Sequence, residues 1–174
     1  MNYGSIKNFD IANGMGVRVS LFVSGCTHHC AECFNPETWD FSYGEPYTQE
    51  TEDKIIEMLG NGSINGLSLI GGEPMEPQNQ KELLPLVKKA KQLFPEKNIW
   101  CYTGYTLENL VKEGFHANGP DTQELLNLID VLVDGPFVIA KKNIGLRFRG
   151  SENQRIIDLN VFRKTGEVVS PALF

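Results

Sequence analysis

"GVRVSLFVSGCTHHCAECFN", residues 16–35, decides how the chain is to be read. Its first half alternates Val17, Val19, Leu21 and Val23, the period of two that marks a β-strand. Its second half places Cys26, Cys30 and Cys33 within eight positions, with His28 and His29 between the first two. One other cysteine exists, Cys101, far along the chain. A strand therefore delivers three thiols at its C-terminal end.

Beyond that strand the pattern alternates. "YTQETEDKIIEMLGNG" predicts a helix, with Thr48 as N-cap, acidic Glu50, Glu52 and Asp53 in the first turn, and Gly60 as the stop. "INGLSLIGGEP" (64–74) predicts a strand that runs into a Gly-Gly turn. "QKELLPLVKKAKQLF" (80–94) repeats Leu83, Val87, Ala90 and Phe94 on one helical face, with Pro85 awkward inside it. "NIWCYTGY" (98–105) predicts a strand, "TQELLNLI" (122–129) a short helix, "DVLVDGPF" (130–137) a fourth strand and "QRIIDLNVF" (154–162) a fifth. Strands alternating with helices point to an α/β fold built on a mainly parallel sheet with crossover helices. In such sheets ligands bind beyond the C-terminal strand ends. Those ends carry Gly25-Cys26, Gly71-Gly72-Glu73-Pro74, Thr103-Gly104-Tyr105 and Asp134-Gly135-Pro136, where the unusual residues fall.

Composition narrows the function classes. The 174 residues suit one domain, 1–174, with a sizeable core; 41% are apolar and 22% charged, as in ordinary globular proteins. Sixteen basic against 22 acidic residues give a net charge of −6, which argues against nucleic acid as main partner. Basic residues do gather late, at Lys141, Lys142, Arg147, Arg149 and Arg155, as a local anion site or a solvated face. Neither a secretory signal nor a run of about 18 apolar residues is present, so no membrane is expected and the cytoplasm is the default. Three bunched cysteines in a reducing compartment mean metal or redox chemistry rather than a disulfide framework.

Thiolates select iron–sulfur clusters, zinc or copper(I). Structural zinc takes four ligands, usually as pairs from two segments. Here no second cysteine pair exists, and His28 or His29 would have to complete the site from within a three-residue gap. The other option is a four-iron–four-sulfur cluster held on three irons, its fourth iron open to a ligand.

C-x3-C-x2-C following a strand resembles the radical S-adenosylmethionine enzymes, and "GGEP" at 71–74 is similar to that superfamily's second motif. The resemblance implies a partial, open βα barrel. It implies that Cys26, Cys30 and Cys33 hold the cluster while S-adenosylmethionine takes the fourth iron. Gly71, Gly72 and Glu73 would lie along the methionine, Glu73 matching its ammonium. Glu32 stands where an aromatic residue is frequent in the superfamily, which leaves its backbone, with Cys33, to meet the adenine. Phe34 would pack over the cluster, or serve as core. Thr103 and Asp134 would hold the ribose or methionine end, the alternative for Asp134 being a turn cap. Arg149, Ser151, Asn153 and Arg155 would bind a carboxylate or a partner, or form a polar turn.

"GVRVSLFVSGC", "CFNPETWDF" and "FRGSENQRIID" (148–158) narrow the likeness to activating enzymes of glycyl-radical proteins, most of all those serving anaerobic ribonucleoside-triphosphate reductases. "NGMG" (13–16) stands where such activases often have D-G-P-G, so that Asp has no counterpart. The implied partners are the large subunit of that reductase and a low-potential electron donor such as flavodoxin. A full barrel needs about 250 residues; 174 leave a side open through which a glycine-bearing loop enters. The alternatives are an activase of another glycyl-radical enzyme, a small-molecule radical enzyme, and a zinc module that only binds a partner.

Overall fold

The structure is a computed structural model, and it describes residues 1–172. Seven strands form one open sheet: β1 (Asn2–Asp10), β2 (Arg18–Val23), β3 (Glu45–Pro46), β4 (Gly66–Gly71), β5 (Asn98–Tyr102), β6 (Val131–Asp134) and β7 (Arg155–Asp158). Their spatial order is β3-β1-β2-β4-β5-β6-β7. The helices are α1 (Gln49–Leu59), α2 (Pro77–Leu93), α3 (Leu107–Val111), α4 (Thr122–Leu128) and α5 (Leu159–Thr165).

The centre of the sheet follows the expected logic. β2, β4, β5 and β6 are parallel neighbours, and α1, α2 and the α3–α4 pair carry the chain between them. The sheet as a whole is mixed, not mainly parallel, because β1–β2, β1–β3 and β6–β7 pair antiparallel. The reason lies in the connections. A short loop turns β1 straight back onto β2, and the segment from β6 to β7 contains no crossover helix, only a 3-10 turn at Ile139–Lys141. The sheet does not close on itself.

Local signals explain the elements. Thr48 caps α1 and exchanges hydrogen bonds with Thr51, a capping box. α2 begins at Pro77, where a missing N–H costs nothing, and continues through Pro85. Pro85 is exposed, so the carbonyl it frees can reach water. The "RIIDLNVF" stretch splits: the strand stops at Asp158, whose carboxylate accepts the N–H groups of Asn160 and Val161 and starts α5. β1 lies outside the predicted set because most of its side chains are exposed and show no two-fold pattern.

All five helices cover one face of the sheet. Val19, Leu21, Val23, Leu67, Leu69, Ile99, Cys101 and Leu132 meet Ile55, Leu83, Val87, Leu110 and Leu125 there. Cys101 is core, fully buried. The opposite face carries a smaller cluster of Trp100, Val131, Val133 and Ile156, with Met15 and Phe148 packed on it. Arg18 is also fully buried on β2 and bonds Ser68, Leu67, Asn98 and Met15; among the described residues no carboxylate lies within ion-pairing reach of it. Burial drags its guanidinium down to about 10. Among the described residues, no helix is long and apolar enough to cross a membrane.

Candidate iron–sulfur site

The C-terminal ends of β2, β4, β5 and β6 rim a cavity of about 460 Å³. Cys26, Cys30 and Cys33 all line it, and all are free thiols. The loop that carries them is pinned at both ends. Gly25 N–H donates to Thr38 O at 2.8 Å and Cys26 N–H to Trp39 O at 3.2 Å, so the stretch after the last cysteine folds back onto its start. Two non-glycine residues within it, His29 (φ 48°) and Glu32 (φ 54°), adopt left-handed backbone. Such strain persists only where the surroundings enforce it, and it gathers at functional sites.

The thiols sit in a desolvating environment. Burial pushes Cys26 up to about 12, with the Glu73 charge adding to the rise and the backbone of His28 and His29 pulling it back. Burial also raises Cys30, opposed by the backbone of Phe137. Unaided, such thiols stay protonated at neutral pH; a bound metal ion deprotonates them outright. Backbone N–H groups directed at sulfur are what tune iron–sulfur centres. Among the described residues, no three His, Cys, Asp or Glu side chains gather round a point that one metal ion would fill.

The glycines after β4 permit close approach. Gly71 has φ 111°, and a Cβ on Gly72 would stand 2.7 Å from Gly25 O and 2.8 Å from Thr38 O. Gly72 lines the cavity; Gly71 and Glu73 do not. Glu73 is fully buried. One of its oxygens accepts Met75 N–H at 2.8 Å, and the other accepts Gly104 N–H at 2.7 Å and meets His28 Nε2 at 2.8 Å. Its carboxylate therefore clasps three strand-end loops together. His28 stays above its ordinary range, because the hydrogen bond and charge of Glu73 outweigh the opposing effect of burial. Thr103 does line the cavity and accepts Tyr105 N–H. Asp134 does not: it is fully buried, bonded twice to Arg155, and caps α3 through Leu107 N–H. Arg155 in turn grips Glu108, so its charge is spent within the fold. Ser151 is buried and accepts Val138 N–H, and Asn153 donates to Pro136 O, which makes this stretch a bonded turn, while Arg149 remains on the cavity wall. Glu32 lines the rim and Phe34 is fully exposed there, so Phe34 is not core. His29 stacks on Trp39 at 4.7 Å.

A second clasp lies in residues that the sequence did not single out. Glu76 is buried, and its Oε1 accepts Thr27 N–H (3.1 Å), Thr27 Oγ1–H (2.5 Å) and Tyr105 O–H (3.0 Å). His116 meets Tyr105 from the far side at 3.1 Å. The one available signal was a second acid three positions after Glu73, directly before a helix-starting proline.

An open α/β sheet with three free thiols around a strand-end cavity presents the soft donors that iron–sulfur clusters and zinc both take. In agreement, residues 12–157 match the family model described as a 4Fe-4S single cluster domain. The anaerobic ribonucleoside-triphosphate reductase-activating protein of Vibrio cholerae serotype O1 is 48% identical over 158 residues, 90% of this chain and 97% of that protein. Its namesakes in Salmonella typhi (46% over 156 residues; 88% and 96% of the two chains) and Pasteurella multocida (42% over 158; 90% and 96%) are similar throughout. No solved structure is a significant match. The chain belongs to the family of anaerobic ribonucleoside-triphosphate reductase-activating proteins.

Proposed function

We propose that this protein activates an anaerobic ribonucleoside-triphosphate reductase by radical S-adenosylmethionine chemistry. The observation that carries the reading is the placement of Cys26, Cys30 and Cys33 on one cavity at the strand ends, opposite Gly72. Donor chemistry fits a four-iron–four-sulfur cluster: three soft ligands, backbone N–H groups near two of the sulfurs, and no fourth cysteine nearby. A zinc ion needs four donors converging on one point, whereas a cluster takes each thiolate on a different iron. When bound, such a cluster would supply the electron for reductive cleavage of S-adenosylmethionine, the source of a radical able to take a hydrogen from a glycine of the reductase.

The chain's own residues bind, orient and shield. The three thiols would give up their protons on loading and would hold the metal. Gly72 lets the backbone come close to the methionine, and Thr103 presents its hydroxyl from the next strand end. Glu73 acts as a positioning residue, fixing the Gly-Gly turn against the cysteine loop and Gly104 from beneath. Glu76 does the same for Thr27, the neighbour of Cys26. The sheet, open on one side, supports a partial barrel into which a loop of the large subunit reaches, with a low-potential donor such as flavodoxin reducing the cluster.

The test is anaerobic. Reconstituted protein, reductant and S-adenosylmethionine are incubated with and without the reductase, and the products and the paramagnetic signal are followed. Methionine and 5′-deoxyadenosine, with a glycine-centred doublet only when the reductase is present, are expected. Tightly held zinc without iron or sulfide would sink the reading.

A further inference from the structure

The mouth of the cavity has two unlike lips. The cysteine loop forms one, with Glu32 and the fully exposed Phe34. The segment after β6 forms the other, and Ile144 on it is 95% exposed. Both residues line the same cavity. Single exposed apolar residues are ordinary; two on the wall of one opening into a reactive site are the pattern of an interaction surface.

Charge says what covers it. Residues 141–155 hold five basic side chains and one acidic, in a chain of net charge −6. Arg155 is consumed by Asp134 and Glu108, and Glu152 bonds Asn143. Among the described residues, Lys141, Lys142 and Arg149 have no carboxylate within ion-pairing reach. Lys142 and Arg149 line the opening, and Arg147 lies over the ring of Phe148. A concentration of positive charge at one lip of an otherwise acidic protein steers an oppositely charged partner and sets its orientation.

We propose that this lip, Lys141 to Arg149, is the docking surface for an acidic segment of the reductase that carries a large apolar side chain, the apolar group seating between Phe34 and Ile144. The proposal rests on the function proposed above, which supplies the partner. It adds which side of the opening the partner grips, and by what chemistry. Glu32 on the facing lip repels the same acidic segment and so fixes its direction of entry.

The experiment measures binding of the full chain, without cluster, to its cognate anaerobic reductase at about 50 and about 300 mM salt. A Lys141→Glu, Arg147→Glu double variant changes two residues that do not line the cavity. It is expected to bind at least about tenfold more weakly at low salt, with a flatter salt dependence. An Ile144→Ser variant is expected to lose affinity while keeping the wild-type salt slope. S-adenosylmethionine cleavage by the loaded double variant alone is expected to match wild type. Wild-type affinity and slope in the double variant would overturn the docking surface, as would absence of any binding by the wild type. If cleavage never occurs yet charge reversal still abolishes binding, the surface stands and the proposed chemistry fails.

Discussion

Replacing Glu73 with Gln separates a clasp from a ligand. The side chain keeps its shape and loses its charge and one acceptor. With the amide oxygen left toward Gly104 N–H and His28, the amide nitrogen faces Met75 N–H, donor against donor. Met75 is fully buried, so no water replaces the lost partner. A stranded buried N–H costs about 1–3 kcal/mol, and the two surviving bonds each weaken from charge-assisted to neutral. Relief from burying a charge works the other way. The net expectation is a loss of about 2 kcal/mol. Urea unfolding of the cluster-free chain, followed by circular dichroism, reads it without any contribution from ligand. For a chain of this size the same loss lowers Tm by about 4–8 °C. Glu73→Ala, which strands Gly104 N–H as well, is expected to lose more. A Glu73→Gln variant within about 0.5 kcal/mol of wild type would refute the clasp and return the carboxylate to the cavity.

Cys30→Ala is expected to take up no stable iron–sulfur cluster on anaerobic reconstitution, whereas His28→Ala retains iron and visible absorbance; metal analysis decides. Gly72→Ala forces its Cβ against two backbone carbonyl oxygens, Gly25 O and Thr38 O. It is expected to lose about 1–3 kcal/mol in urea unfolding. Glu108 answers to acid. The hydrogen bond from Arg155, opposed by burial, holds its carboxyl down from 4.5 to about 2. Its stabilising contribution is therefore complete above about pH 4.5 and fades as pH falls toward 2. The side chain is mostly exposed, so the contribution is under about 1 kcal/mol. Glu108→Gln is expected to flatten that limb of the stability curve and to lower the plateau above about pH 4.5 by the same amount, under about 1 kcal/mol.

Much of the central sheet was legible because its four parallel strands are largely buried and carry apolar residues, alternating in β2, between turn signals. The edges were not. β1 is mostly exposed and carries no periodic signal. Asp158 ended a stretch that looks uniformly strand-like, and only its capping bonds distinguish the two halves. In the site, the cysteines announce themselves by spacing. The acidic residues behave differently. Glu73 and Asp134 sit at strand ends, as read, but these partners lie 21 to 45 positions away, and burial turned both inward. Glu76 meets Thr27 from 49 positions off. Such pairings exist only once the sheet has brought the loops side by side.

Arg18 has a consequence at the other end of the molecule. It lies level with Gly66 and, through Gly66, with Asn98, at the start of three adjacent strands. Its guanidinium bonds Leu67 O, Ser68 Oγ, Asn98 Oδ1 and Asn98 O. Gly66 makes room for this, since a Cβ there would lie 2.0 Å from Asn98 O and 2.9 Å from Arg18 Nη2. Parallel strands have no turn to index them, and a slip of one residue displaces a strand by about 3.3 Å. Five residues beyond Arg18 on β2 the pairing reaches Val23 and Gly71, and the next steps are the cysteine loop and Gly72. The buried cation is thus a datum mark. It fixes the height at which Cys26, Gly72 and Thr103 emerge, from the far edge of the sheet, without touching any of them.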